Sequence, residues 1–202
     1  MRVISGRFKG VALTTPKSGT RPTTDRTKEA IFSHLDSWGV LDDARVLDLF
    51  AGTGALGIEA LSRGARELVA VESSAPAAAL IAQTLTALKH NRSWEHGMSA
   101  RVVKARAEKY AASASASAIE PFDMVFIDPP YAFETNNCNQ LLADLADREL
   151  TSSNTVIMLE RSTRSEAPTA PNNWEITDRR DYGETAVYYI EPSEPISDNG
   201  QQ

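Results

Sequence analysis

The chain has 202 residues, of which 42% are hydrophobic and 24% are charged. These values are typical of a globular protein with one sizeable α/β domain. Its single cysteine, Cys138, excludes an internal disulfide framework and suits a reducing compartment. No apolar run approaches the ~20 residues that span a bilayer, and the N-terminus lacks the apolar core of a signal peptide. We therefore expect a cytoplasmic protein that does not contact a membrane.

The net charge of −6 is distributed unevenly along the chain. Residues 1–28 carry seven basic side chains and one acidic side chain, so this segment has a charge of +6 and the rest has −12. A basic segment on an acidic body indicates a protein that meets phosphate groups at one edge. The alternative is a solvated basic hairpin that binds nothing.

The N-terminal part of the chain predicts a small extension followed by a helix. Residues 2–15 predict a β-hairpin, because two short apolar runs flank a charged turn that contains glycine. Residues 16–24 predict a polar loop. Thr24 or Asp25 is suited to cap a helix that Gly39 would end.

The remaining chain alternates between strand and helix patterns. Strands are predicted at residues 46–50, 68–71, 101–104, 122–127 and 155–159, with a terminal pair near 174–177 and 186–190. Helices are predicted after the glycine turn, over about 75–90 and around 140–150, while residues 111–118 are of low complexity and receive no function. This alternation predicts an α/β fold with a doubly wound, mostly parallel sheet of seven strands and a small N-terminal β-hairpin extension. We expect three parts: residues 1–24 (extension), 25–191 (domain) and 192–202 (disordered tail).

A glycine-rich turn follows the first predicted strand. Gly52-x-Gly54-x-x-Gly57 allows positive φ and leaves the backbone open to a ligand, and the helix after it presents free N–H groups. Glu72 ends the next strand, twenty positions after Gly52. A carboxylate at that place can accept hydrogen bonds from both hydroxyls of a ribose. The pattern predicts a nucleoside-cofactor site rather than a merely structural turn.

A second loop, Asp128-Pro129-Pro130-Tyr131, follows the fourth predicted strand. The two prolines stiffen the loop, Asp128 adds a carboxylate and Tyr131 adds an aromatic face. Hydrogen-bond acceptors beside a stacking surface suit the exocyclic amino group of a nucleobase, because they orient a poorly nucleophilic nitrogen for attack. A Pro-Pro turn that only closes a strand is the alternative. Because Glu72 and both loops follow strand ends, we expect them to converge on one crevice.

Several motifs resemble those of a known family. Asp48-x-Phe50-x-Gly52-x-Gly54 and the Asp-Pro-Pro-Tyr loop resemble the cofactor and catalytic motifs of class I S-adenosylmethionine-dependent amino-methyltransferases. Residues 2–10 and 21–29 further resemble the signature of the RsmD family, which methylates N2 of one guanine (guanine 966) in bacterial 16S rRNA. The resemblance extends over residues 2–190.

The resemblance implies roles for individual residues. The catalytic residues, which would hold the guanine, would be Asp128, Pro129 and Tyr131. The residues that would bind S-adenosyl-L-methionine are Asp48, Phe50, Gly52, Gly54, Glu72, Ser73, Arg106 and Ala107. The residues that would bind RNA are Arg2, Arg7, Lys9, Arg21, Thr23, Thr24 and Arg26.

One of these positions departs from the family pattern. Relatives tend to carry an acidic or amide residue where this chain has Arg106, and arginine cannot accept a hydrogen bond from the adenine amino group. Adenine recognition would then depend on a backbone group or another acceptor. We expect no metal site, because His34, His90 and His96 lack ligand spacing with Cys138.

Three other functions remain open at this point. A DNA adenine-N6 or cytosine-N4 methyltransferase would use the same catalytic loop, although the chain lacks a sizeable target-recognition domain. An NAD-dependent oxidoreductase would use the same glycine turn, but it leaves the Asp-Pro-Pro-Tyr loop unexplained. A catalytically silent RNA-binding relative is the third. The expected partner is 16S rRNA or a small-subunit assembly particle, and we expect a monomer.

Overall fold

The structure is a computed structural model that describes residues 1–14, 24–113, 120–147 and 150–193. Its helices are α1 (Asp25–Trp38), α2 (Ala55–Ser62), α3 (Ala75–Lys89), α4 (Ala107–Ser113) and α5 (Thr135–Asp147). Its strands are β1 (Arg45–Leu49), β2 (Glu67–Glu72), β3 (Ser99–Lys104), β4 (Phe122–Ile127), β5 (Thr151–Ser162), β6 (Trp174–Tyr182) and β7 (Thr185–Pro192). Within these ranges, no helix combines the length and the apolar character needed to cross a membrane.

All seven strands form one sheet in the order β3-β2-β1-β4-β5-β7-β6. Strands β1 to β5 run parallel, and β7 is antiparallel to both β5 and β6. This confirms the predicted doubly wound, mostly parallel sheet. Helices α1, α2 and α3 cover one face of the sheet, and α4 and α5 cover the other. The strand order reverses at β1, so a crevice opens beyond the carboxyl ends of β1 and β4, where ligands bind in such folds.

The predicted helix start and stop signals of α1 are confirmed. The Thr24 hydroxyl accepts a hydrogen bond from the Thr27 N–H (3.2 Å), and Gly39 ends the helix with φ 69°. The helix therefore has the N-cap and the left-handed glycine that its sequence predicts.

Several other predicted boundaries were wrong, including the end of β6, which reaches Tyr182 and not residue 177. Helix α5 begins at Thr135 and not near Gln140, because its polar first turn is fixed by contacts from the rest of the fold and not by an apolar pattern. Strand β5 covers residues 151–162 and not 155–159, because pairing with β4 and β7 extends it beyond its apolar centre. Strand β7 runs through Pro192, one residue into the predicted tail, and residues 194–202 lie outside the described part of the chain.

The N-terminal extension is a hairpin held by an antiparallel bridge between Arg2 and Ala12. The hairpin lies along α2: the Ile4 and Ser5 N–H groups donate to the Glu59 carboxylate (2.8 and 3.0 Å), and the Phe8 N–H donates to the Ser62 hydroxyl (2.9 Å). Since α2 runs from the glycine loop toward the opposite edge of the sheet, the hairpin tip lies at that opposite, amino edge.

Glu59 fastens this extension to α1 and α2. Its carboxylate is fully buried and also accepts from Arg63 Nε (2.9 Å), while the buried Lys28 ammonium lies 3.7 Å away. Lys28 Nζ in turn donates to the Arg2 carbonyl (3.1 Å). A buried carboxylate with this many donors is stable only as a complete network, so Glu59 fixes where the extension lies.

Candidate active site

The glycine-rich loop connects β1 to α2 in a conformation that depends on its residue types. Phe50 (φ 60°), Gly52 (φ 58°) and Gly54 (φ 75°) all have left-handed backbones. A side chain added at Gly52 would meet only the Phe50 carbonyl, at 3.9 Å, so this face of the loop is open to a ligand. The left-handed backbone costs a bulky residue such as Phe50 about 1 kcal/mol or more of conformational free energy. Residues with strained backbones of this kind cluster at ligand-binding sites.

Gly57 has a different role from the other two glycines. A Cβ on Gly57 would lie 2.4 Å from Leu68 Cδ1 and 3.0 Å from Asp48 Oδ2. The absence of a side chain therefore lets α2 pack closely on the sheet, as expected for the third glycine of such a turn.

Glu72, at the end of β2, holds the glycine loop in place. Its Oε2 accepts from the Gly52 N–H (2.7 Å) and its Oε1 accepts from the Ser74 N–H (2.7 Å). Each carboxylate oxygen has a second lone pair, so these bonds leave acceptor capacity for the two hydroxyls of a ribose. The structure thus brings Glu72 and the loop together as predicted.

Asp48 lies beneath the loop and is almost wholly buried. Its Oδ2 accepts from the Gly57 N–H (2.9 Å) at the start of α2. The pKa of Asp48 is raised to about 7, chiefly by burial; the bond from Gly57 opposes this shift, and the charges of Asp128 and Glu72 add to it. The strands that lead into the two loops are parallel neighbours, with Leu49 opposite Ile127, so both loops leave the same edge of the sheet, as predicted.

The Asp-Pro-Pro-Tyr loop leaves the sheet at the end of β4. Asp128 is partly shielded, and burial raises its pKa to about 6. The Tyr131 side chain is 80% exposed, so its ring is free to stack on a ligand. The Phe133 N–H donates to the Pro130 carbonyl (2.8 Å) and closes the turn.

Two residues that the sequence patterns did not single out connect this loop to its surroundings. The Phe133 ring lies edge-on to the Phe50 ring, with 5.0 Å between the ring centroids. The Phe133 carbonyl accepts a hydrogen bond from Arg161 Nη1 (2.7 Å) on β5. No local motif marks either residue, because each contact joins segments far apart in the chain.

The predicted adenine side of the site is formed by the ends of β2 and β3. Ser73 is exposed, and Ala107 is buried as the first residue of α4. The exposed Arg106 guanidinium pairs with Glu108 Oε1 (2.9 Å). Two residues after Arg106, Glu108 therefore carries a carboxylate, which is engaged by that arginine.

The predicted RNA-binding residues lie in different environments. Arg2, Lys9 and Arg26 are exposed, and Thr24 serves as the N-cap of α1. Arg7 Nη1 forms an ion pair with Glu95 (2.8 Å) at the hairpin tip. Arg21 and Thr23 lie outside the described residues.

The described structure also has cavities away from the candidate site. Two open cavities of about 580 and 390 Å³ lie at the amino edge of the sheet and include none of the predicted site residues. Among residues 1–14, 24–113, 120–147 and 150–193, no group of three or more His, Cys, Asp or Glu side chains is arranged to hold a metal ion.

The fold and the two loops define a class I S-adenosylmethionine-dependent methyltransferase. Within that class the chain belongs to the RsmD family: the family model described as Conserved hypothetical protein 95 matches residues 1–191. Membership of a methyltransferase family decides against the NAD-dependent oxidoreductase.

Individual relatives agree with this assignment. The chain is 34% identical over 187 residues to ribosomal RNA small subunit methyltransferase D of Escherichia coli K12, covering 92% of this chain and 87% of the relative. It is 35% identical over 188 residues to YlbH of Bacillus subtilis, a proposed rRNA methyltransferase (93% and 96% covered). The solved structure of yhhF from Escherichia coli, a proposed methyltransferase, superposes with a TM-score of 0.80 at 32% identity and covers 96% of this chain and 98% of its own.

Proposed function

We propose that the protein transfers a methyl group from S-adenosylmethionine to the exocyclic N2 of one guanine in 16S rRNA. The observation that carries this proposal is the meeting of the Glu72-bound glycine loop with the Asp-Pro-Pro-Tyr loop in one crevice. Relatives that match most of this chain include a ribosomal RNA small subunit methyltransferase, which favours an rRNA substrate over DNA adenine or cytosine. The family site, guanine 966, is the target we expect.

The residues around the glycine loop fit the cofactor. The open face at Gly52 admits a ligand to the backbone, and Glu72 has acceptor capacity for ribose hydroxyls. Further residues that would hold the cofactor are Asp48, Phe50, Gly54, Ser73 and Ala107, with Arg106 at the adenine side. When bound, S-adenosylmethionine supplies a methyl group that is activated by its positively charged sulfur.

The Asp-Pro-Pro-Tyr loop would hold the target guanine. The Asp128 carboxylate and the Pro129 carbonyl would accept hydrogen bonds from the N2 amino group, which orients its lone pair for attack. The exposed Tyr131 ring would stack on the base, a contact worth ~1–3 kcal/mol in comparable systems. The ionised Asp128 carboxylate is the stronger acceptor of these bonds, and a pKa of about 6 leaves it mostly ionised at neutral pH.

RNA would dock through exposed cations of the N-terminal region, since the rest of the chain is acidic. Arg26 lies in the first turn of α1, at the same edge of the sheet as the crevice. Arg2 and Lys9 are exposed on the hairpin, but Lys9 is at its tip, at the opposite edge, so it could meet only RNA that extends beyond the crevice. Arg7 could reach a phosphate only by releasing Glu95. We propose that a monomer acts in the cytoplasm on 16S rRNA, either free or within a small-subunit assembly particle.

Mapping the methyl group on RNA tests this function. The purified protein is incubated with tritium-labelled S-adenosylmethionine and either free 16S rRNA or small subunits from a strain that lacks this activity. We expect label in a single nucleoside, N2-methylguanosine, and no label with the Asp128→Ala protein. Label in DNA adenine or cytosine, or in another position of guanine, would overturn the proposal. Whichever of the two is methylated faster, free 16S rRNA or the small subunit, is the form of the substrate that the protein recognises.

A further inference from the structure

Arg161 on β5 is a buried cation placed beneath the catalytic loop. Arg161 is 8% exposed, and its contacts with the described residues are hydrogen bonds to a carbonyl and a hydroxyl, with no ion pair among them. Its Nε atom is buried and has no hydrogen-bond partner in the described part of the chain. Burying a guanidinium without an opposite charge is costly, so stability alone does not account for an arginine here.

The two hydrogen bonds that Arg161 does make both hold the segment after the Asp-Pro-Pro-Tyr loop. Nη1 donates to the Phe133 carbonyl (2.7 Å), and Nη2 donates to the Thr135 hydroxyl at the start of α5 (3.3 Å). The planar guanidinium reaches both acceptors at once, which a lysine ammonium at the same place cannot do with the same geometry.

Phe133 is the residue at which the catalytic loop contacts the cofactor loop. Its N–H is bound to the Pro130 carbonyl, its carbonyl is bound to Arg161, and its ring lies against Phe50. Phe50 itself has a left-handed backbone within the glycine loop. Moving Phe133 therefore changes the placement of the catalytic loop relative to the cofactor loop.

We propose that Arg161 is a positioning residue for methyl transfer: through Phe133 it sets the distance between the amine acceptors at Asp128 and Pro129 and the cofactor. This role rests on the proposed function, because it assumes a transfer between groups held by the two loops. Misplacement of reacting groups by about 1 Å is enough to slow a reaction on the order of a hundredfold.

The chain offers a matched control in Arg164. It lies three residues further along, is exposed, and pairs with Glu184 (2.6 Å) without touching the catalytic loop. The variants Arg161→Gln and Arg164→Gln remove the same charge from the same part of the chain, and Arg161→Lys retains the charge without the planar fork.

Single-turnover kinetics separate positioning from simple loss of stability. For Arg161→Gln we expect a rate per folded molecule that is about tenfold to a hundredfold lower, with unchanged S-adenosylmethionine affinity. Arg161→Lys should regain part of the rate, and Arg164→Gln should match the wild type. A purely structural role would lower the melting temperature but leave the rate per folded molecule unchanged, and that result would overturn the proposal.

Amide hydrogen exchange provides a readout that needs no substrate. In Arg161→Gln the N–H groups of Phe133 and Cys138, bonded to the Pro130 and Glu134 carbonyls, should exchange faster than in the wild type and in Arg164→Gln. Unchanged exchange would overturn the inference whatever the substrate is. If the wild-type protein methylated no RNA, the proposed function would fail, while faster exchange would still show that Arg161 holds the loop.

Discussion

The carboxylates of the two loops differ in what already binds them. Asp48 and Glu72, on the cofactor side, accept hydrogen bonds from backbone N–H groups of Gly57, Gly52 and Ser74. Asp128, on the catalytic side, receives no hydrogen bond from any of the described residues. A carboxylate that is bound to the backbone stabilises a loop, whereas a carboxylate left without donors is ready to accept them from a substrate. The same type of side chain therefore stabilises a loop on one side of the crevice and, in the proposed function, orients the substrate amine on the other.

Replacing Asp128, the carboxylate that receives no hydrogen bond from the described residues, should have the largest effect on catalysis. We expect Asp128→Ala to lower the single-turnover rate of methyl transfer by about 100- to 1,000-fold, because the amine loses an oriented acceptor. Calorimetric affinity for S-adenosylmethionine should be unchanged. The control is Asp144→Ala, which removes a carboxylate that accepts a hydrogen bond from Gln140 on α5. A near-normal rate in Asp128→Ala would contradict the amine-orienting role.

Replacing a backbone-bound carboxylate should instead weaken cofactor binding. Glu72→Ala leaves the Gly52 and Ser74 N–H groups without their acceptor and removes the predicted ribose contact. We expect the free energy of S-adenosylmethionine binding to fall by about 1–3 kcal/mol, measured by calorimetry. The rate at saturating cofactor should change much less than in Asp128→Ala. If Glu72→Ala bound the cofactor normally, the glycine loop would not be the cofactor site.

The pH dependence of the reaction tests whether Asp48, beneath the glycine loop, influences the pKa of Asp128 in the catalytic loop. Because the ionised carboxylate is the stronger acceptor and the pKa of Asp128 is raised to about 6 by burial, kcat/KM should fall as the pH decreases through 6. The Asp48 carboxyl, whose pKa is about 7, is mostly uncharged at that pH, so Asp48→Asn should leave this acid limb in place. An acid limb that moved to lower pH in Asp48→Asn would show that a charge on Asp48 contributes to the raised pKa of Asp128.

The same substitution should change the pH dependence of stability. The pKa of Asp48 is 3.8 in a model compound and about 7 in the fold. A raised pKa means that its stabilising contribution is present below pH 4 and is lost as the pH rises through 7. The free energy of unfolding, measured with urea, should therefore decrease less from pH 5 to pH 8 in Asp48→Asn than in the wild type.

The smallest effects are expected for substitutions of basic residues that would bind RNA. Here too, a residue held in an ion pair can be compared with one that has no such partner among the described residues. Arg7 is paired with Glu95, whereas Arg26 has no ion-pair partner among the described residues. Arg26→Ala should weaken RNA binding and flatten the plot of log affinity against log salt by about 0.7–0.9 for one lost phosphate contact. Arg7→Ala should leave this slope nearly unchanged. Equal slopes in the two variants would show that the ion pair does not decide which cation meets RNA.

The sequence predicted those parts of the molecule that depend on local patterns. The caps of α1, the buried parallel strands and the glycine turn follow from side-chain periodicity and backbone preference, and all are present. The start of α5 was misplaced because Thr135 is held by Arg161, a residue 26 positions later in the chain. The ends of β5 are polar and form a strand only because β4 and β7 pair with them.

The same distinction applies to the site. Glu72 and Asp128 were predictable because each follows a strand with a recognisable pattern and the topology brings strand ends together. Phe133 and Arg161 were not, because an aromatic residue in a loop and an arginine in a strand occur in many environments. The Arg7–Glu95 pair was also unpredictable, since net charge counts cations without showing which of them are already paired.

The different roles of the three loop glycines have an evolutionary consequence. A Cβ on Gly52 would meet only the Phe50 carbonyl, at 3.9 Å, whereas a Cβ would lie 3.1 Å from Ile58 Cδ1 at Gly54 and 2.4 Å from Leu68 Cδ1 at Gly57. A descendant that lost methyl transfer would be released from selection at Gly52, while close packing would still favour glycine at the other two positions. Retention of Gly54 and Gly57 without Gly52 in a distant homologue would therefore indicate shared ancestry of the fold, whereas retention of Gly52 together with Glu72 would indicate continued use of the proposed cofactor site.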